Sequence, residues 1–126
     1  MRVVARALSV GLMTAIGSGC LGTGIDIEAP PVADLALESV SVGAFFACAV
    51  NEDGKVYCWG LNSVGQLGDQ TLNSKATPVE VQSGTVTFES VTAGAGHSCA
   101  LTAAGAAYCW GAGGSGELGN NEFSNR

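Results

Sequence analysis

Four cysteines stand at two identical spacings. Nine residues separate Cys48 from Cys58, and nine separate Cys99 from Cys109. Such pairs could form disulfides, hold a metal or stay buried as free thiols. Structural zinc sites use close pairs of the C-x2-C kind with further Cys or His. Here the spacing is C-x9-C and the chain has one His, His97, so no metal site is expected. The fifth cysteine, Cys20, has no partner at a matching distance. His97 could act as a general base, but no nucleophile with an acidic orienting residue stands at a recognisable spacing. Gly113-Gly114-Ser115-Gly116 is not a phosphate loop, because no Gly-Lys-Ser/Thr follows it. No catalytic residue and no cofactor is expected.

The elements that position these residues repeat. Val40–Gln70 aligns without a gap on Val91–Asn121 at an offset of 51. Cys48, Gly54, Tyr57, Cys58, Trp59, Gly60, Gly65, Leu67 and Gly68 recur as Cys99, Gly105, Tyr108, Cys109, Trp110, Gly111, Gly116, Leu118 and Gly119. A period near 50 belongs to propellers and repeat arrays. Within a unit, Phe46–Asn51 and Val56–Gly60 are short, apolar and aromatic-rich, with Asn51–Lys55 as a turn between them. Pro78–Val81 reads as a further strand and Leu61–Asp69 as a loop. No helical apolar stripe follows residue 20. The expectation is all-β: units of about four antiparallel strands, the format of propeller blades.

This hairpin explains the cysteines. A turn centred on Asp53 sets Val50 opposite Val56, Ala49 opposite Tyr57 and Cys48 opposite Cys58. The same arithmetic sets Cys99 opposite Cys109. Opposed residues share a sheet face, and at a non-hydrogen-bonded pair their Cα atoms are about 4.5 Å apart, within the lower reach of disulfide geometry. Two disulfides inside the units are expected, with buried thiols as the alternative. Asp53 and Asp69 become Ala104 and Asn120 in the second unit, so with Glu52 they read as turn carboxylates and not as a calcium site. Trp59 and Trp110 recur at one position and read as core or inter-unit packing. Gly60 and Gly111 read as positions of special backbone geometry.

The motifs Gly105-x-x-Tyr108-Cys109-Trp110-Gly111 and Gly116-x-Leu118-Gly119, with Gly54–Asp69 in the first unit, resemble the repeat of the regulator of chromosome condensation family. The resemblance implies a seven-bladed propeller with about four strands per blade, and the Cys pairs resemble exported bacterial versions. It implies a structural role for His97, hydrogen-bonding between neighbouring strands. His97 is Phe46 in the first unit, and Gly113-Gly114 replaces Asn62-Ser63. Seven such units would need roughly 360 residues. This chain holds 126, so a truncated chain is expected. A short form pairing its open strand edges with copies of itself is the alternative.

The start of the chain reads as an address. Arg2 and Arg6 precede an apolar run from Ala7 to Ile16 and a small-residue stretch ending at Cys20. Residues 1–19 are expected to be a signal peptide. Ile16–Cys20 resembles a bacterial lipobox, with Gly17 where Leu is usual, and implies lipidation of Cys20 at the cell envelope. Plain secretion is the alternative. Residues 20–37 read as an extended linker around Pro30-Pro31, 38–87 as the first repeat and 88–126 as an incomplete second. A formal charge of −6 with five basic residues argues against a nucleic-acid partner. The expected function is therefore non-catalytic binding of a protein or glycan, with membrane association through the lipid. Guanine-nucleotide exchange by family analogy and a glycan-acting propeller enzyme are the alternatives.

Overall fold

The computed structural model describes residues 35–122 and 124–126. The expected signal peptide, Cys20 and most of the linker lie outside the described residues. Among the described residues seven strands follow in order: β1 Leu37–Val42, β2 Phe46–Asn51, β3 Val56–Gly60, β4 Lys75–Glu80, β5 Ser90–Ala93, β6 His97–Leu101 and β7 Ala107–Gly111. They form two antiparallel sheets, β1-β2-β3-β4 and β5-β6-β7.

The central hairpin of each sheet is closed by side-chain chemistry at its turn. Asn51 Oδ1 accepts from the Asp53 and Lys55 N–H groups at 3.2 and 2.8 Å. In the second unit Thr102 takes that place, its hydroxyl accepting from Ala106 N–H at 3.1 Å. Asx and Ser/Thr side chains often mimic a backbone turn in this way. The register follows from the turns. Val50 pairs with Val56, Ala49 with Tyr57 and Cys48 with Cys58, and Cys99 pairs with Cys109.

The fourth strand begins at Lys75, three residues before the Pro78 start read from the sequence. Pro78 fits because β4 is an edge strand, paired on one side only. β4 pairs Val79 with Cys58 and Glu80 with Tyr57, then shifts register so that Lys75 meets Gly60. In the second unit Arg126 exchanges two backbone hydrogen bonds with Gly111, at 2.7 and 3.0 Å. That repeats the Lys75–Gly60 pairing one period later.

The core lies between the sheets. Phe46, Cys48 and Val50 of β2 alternate onto one face, with Val56 and Cys58 of β3 beside them. Val91, Ala100 and Trp110 of the second sheet close over them, with Leu67, Val81 and Phe88 from the connections. Gly60 and Gly111 have φ of 113° and 98°. A Cβ there would lie 2.5 Å from the Phe45 carbonyl oxygen and 2.6 Å from that of Gly96. Only glycine lets the ends of β3 and β7 come so near the preceding loop.

Candidate binding site between the two units

Trp110 carries the contact between units. Its ring is 8% exposed, and its Nε1–H donates to the Gln66 carbonyl at 3.0 Å. Ser98 Oγ donates to the same oxygen at 3.2 Å and lies 3.5 Å from Cys48 Sγ. Ala93 N–H donates to Ser41 Oγ at 2.9 Å. The Gln66 side chain also holds its own loop, with Oε1 accepting from Val64 N–H at 3.0 Å. Trp59 holds the corresponding place on the first unit but is only half-buried. Gln66 and Ser98 were not singled out from the sequence. Gln66 acts through its backbone oxygen, and Ser98 has Ala47 as its counterpart, so repeat comparison marks neither.

The two cysteine pairs lie on corresponding faces in different surroundings. Cys48 and Cys58 are joined, with Cα atoms 4.1 Å apart, and are fully buried against the second unit. Cys99 and Cys109 are joined with the same Cα separation, on the face of the second unit turned away from the first, and are partly exposed.

A second anchor is Asn62, which is completely buried. Its amide nitrogen donates to Asp69 Oδ1 at 3.0 Å and to the Thr71 and Asn73 carbonyls at 2.9 and 3.2 Å, while its oxygen accepts from Leu67 N–H at 2.9 Å. One side chain thus ties together the loop from β3 to β4. The second unit has Gly113 there and lacks these bonds. Backbone amides at Leu118 and beyond are therefore expected to exchange with solvent faster than those at Leu67 and beyond. Native-state hydrogen exchange checks this, and Asn62→Gly should bring the two loops to similar rates.

Burial pushes the Asp69 carboxyl up, but hydrogen bonds from Thr71 and Asn62 outweigh it and hold the group below its ordinary value. A depressed carboxylate stabilises the loop above its unfolded value of about 3.9. That contribution disappears as pH falls through the lower folded value. Exchange protection at the Thr71 amide is therefore expected to persist at pH 5 and fall away below about pH 4, as read by amide NMR. In the second unit, hydrogen bonds from the Glu117 and Ser115 N–H groups hold the Glu117 carboxyl below its usual value.

A cleft of about 510 Å³ opens between the units along the outer edge of β7. Leu72, Val81, Phe88, Tyr108 and Trp110 line it, with Arg126 at its rim. Leu72 and Tyr108 are 67% and 45% exposed, and the Phe88 and Tyr108 rings meet edge to face at 5.7 Å. In the first unit the corresponding strand edge is covered by β4. The cleft is thus mostly apolar and runs along backbone groups that a strand can pair with. On another side, Glu38, Glu52, Asp53 and Glu89 line an acidic notch. Among the described residues no three His, Cys, Asp or Glu are placed to hold a metal.

Two profiles of the regulator of chromosome condensation (RCC1) repeat match the sequence, one over residues 53–101 and one over 38–66 and 88–117. The chain belongs to the RCC1-repeat family. It is 34% identical over 97 residues to the human probable E3 ubiquitin-protein ligase HERC4, covering 75% of this chain and 9% of that protein. It is 38% identical over 90 residues to the mitochondrial RCC1 domain-containing protein RUG3 of Arabidopsis thaliana, covering 70% and 20%. Yeast RCC1 (Prp20) bound to Kap60 superposes with a TM-score of 0.62 at 24% identity, over 73% of this chain and 23% of that one. The chain therefore spans a fifth or less of these two relatives' lengths, and its two sheets are blades of an RCC1-type propeller.

Within the RCC1 repeat, the structure assigns the His97 position a packing role. The ring lies over Gly94, as the Phe46 ring lies over Gly43. The inter-strand bond expected of its side chain is supplied instead by its backbone, whose carbonyl accepts from Gly94 N–H at 2.8 Å. Among the described residues the ring nitrogens make no hydrogen bond. The position needs a flat ring over a glycine, which Phe and His both provide.

Proposed function

We propose that this chain is a non-catalytic protein-binding module of RCC1-type blades, exported and held at the cell envelope through a lipid on Cys20. The cleft beside β7 carries the reading. Among the described residues it offers a strand edge that Arg126 pairs only at Gly111, next to an apolar recess, the combination by which an extended peptide adds to a sheet. The hydrogen bonds give affinity, and side chains entering the recess give selectivity. A solved relative, yeast Prp20p, is described with binding properties to Gsp1p and histones, which makes a protein the favoured class of partner. The signal-like sequence of residues 1–19 and the lipobox-like run ending at Cys20 support the location.

The probe is a labelled peptide with the sequence of β4 and its next residue, Lys75–Val81. Saturable binding by fluorescence anisotropy is expected, and Leu72→Asp should weaken it at least tenfold. A folded protein that leaves the peptide free at millimolar concentration would sink the peptide-binding reading. Anchoring is checked separately by the mass of the N-terminal peptide in envelope fractions. Acyl mass on Cys20 is expected, and its loss in Cys20→Ser.

A further inference from the structure

The acidic notch lies where strands of both blades end. The start of β1, the β2–β3 turn, the end of β4 and the start of β5 gather there. A neighbouring blade packs against sheet faces and not against strand ends, so this surface does not depend on what flanks the two blades. Glu38, Glu52, Asp53 and Glu89 line a space of about 430 Å³, and all four are exposed. Hydrogen bonds fix the backbone that carries them. Glu52 N–H donates to the Ala36 carbonyl at 3.1 Å, Phe88 N–H to that of Gly54 at 2.8 Å and Glu89 N–H to that of Leu101 at 2.8 Å.

The fold does not need the charges of the turn. The offset of 51 residues maps Glu52 and Asp53 onto Ala103 and Ala104, and the second blade closes the same turn without them, on the Thr102 hydroxyl. The cations of the chain are engaged elsewhere. Among the described residues Lys55 pairs with Glu80 and Arg126 with Glu122, and Lys75 stabilises the Asp69 carboxylate. No three of the notch carboxylates are placed to share a metal ion. A second, independent observation comes from Asn51, which is 6% exposed and forms part of the notch wall. Its Oδ1 is held by the turn, but among the described residues its Nδ2 has no acceptor. No fully buried side-chain nitrogen or oxygen is left unbonded among these residues, so Nδ2 reaches the notch. The site thus presents negative charge together with one N–H donor that lacks a carbonyl.

We infer that the notch receives an arginine side chain from a partner peptide. The guanidinium lies among the four carboxylates, and a carbonyl of the peptide backbone accepts from Asn51 Nδ2–H. Arginine fits because its planar fork spreads five N–H donors over acceptors that a compact ion cannot bridge. Phe88 and Ala103 give its aliphatic stem an apolar wall. A polyamine or a free guanidinium carries the charge without the carbonyl, so Asn51 singles out a peptide. The walls are already held in place, so little ordering is needed on binding. The notch differs from the strand edge of β7 in ligand chemistry, and either site can fail alone.

The test uses the full chain and a labelled, end-blocked Gly-Gly-Arg-Gly-Gly peptide, followed by fluorescence anisotropy at low salt. Saturable binding is expected, weakening as salt rises. The same peptide with citrulline in place of arginine, equal in shape and uncharged, should stay free. Glu52→Ala with Asp53→Ala gives the first blade a turn that the second blade already folds with, and should weaken binding about tenfold. Asn51→Thr keeps a turn acceptor, as Thr102 does, but removes the free donor, and should weaken binding about threefold. Glu117→Gln with Glu122→Gln removes two charges elsewhere and should leave the affinity unchanged. Circular dichroism confirms that each variant is folded. A wild-type chain that leaves the peptide free at millimolar concentration, equal binding of the citrulline peptide or an affinity untouched by the notch substitutions would each overturn the inference. So would an equal loss in the remote pair, which would mean diffuse attraction to the net charge of −6.

Discussion

Replacing Trp110 by Ala is expected to destabilise the folded chain by about 3–5 kcal/mol, the usual range for emptying a buried aromatic site. Trp59→Ala should cost only about 1 kcal/mol. The two residues hold the same place in the repeat. What differs is the neighbour. Trp110 closes over the first blade with its Nε1–H on the Gln66 carbonyl, whereas Trp59, on the face turned away from the second blade, is only partly buried. Removal of Trp110 would empty the space above Gly68 and leave the buried Gln66 carbonyl with Ser98 as its remaining donor. Urea titration of both variants checks this. Equal losses would mean that the tryptophan stabilises its own sheet and that blade-to-blade contact contributes little.

Much of the hairpin architecture was legible in the sequence because it is set by local chemistry. Asn51 and Gly54 define a turn, the turn defines the register, and the register places Cys48 opposite Cys58. The recurring positions were equally clear. The unequal burial of Trp59 and Trp110 was not, because strand alternation shows that two residues share a face and not what covers it. Gln66 escaped notice for a related reason. It contributes a main-chain oxygen, which no residue type advertises, and its side chain holds the loop through an acceptor that Glu117 supplies just as well. Asn62 was hidden by the repeat itself. Its counterpart is Gly113, so alignment of the two units marks as variable the residue with the most hydrogen bonds in the loop. The start of β4 was placed late because Lys75–Thr77 carries no apolar alternation. Pairing of Lys75 with Gly60 across a register shift depends on an irregularity that sequence periodicity does not encode.

The two disulfides should contribute unequally, although they close loops of the same length. Each has a sequence separation of ten, which gives about 2–3 kcal/mol from constraint of the unfolded chain. Replacing Cys99 and Cys109 together by Ala should cost about that much. Replacing Cys48 and Cys58 should cost more, by about 1–2 kcal/mol, because their sulfurs are fully buried and their loss leaves a void beneath the second blade. Access to reductant should follow the same division. Under mild reduction of the folded chain, alkylation and mass mapping are expected to find Cys99 and Cys109 labelled first, with Cys48 and Cys58 labelled only when the blades separate. Simultaneous labelling of both pairs would show that the blades part as readily as solvent reaches the outer bond, and would contradict the assignment of Trp110 as their fastener.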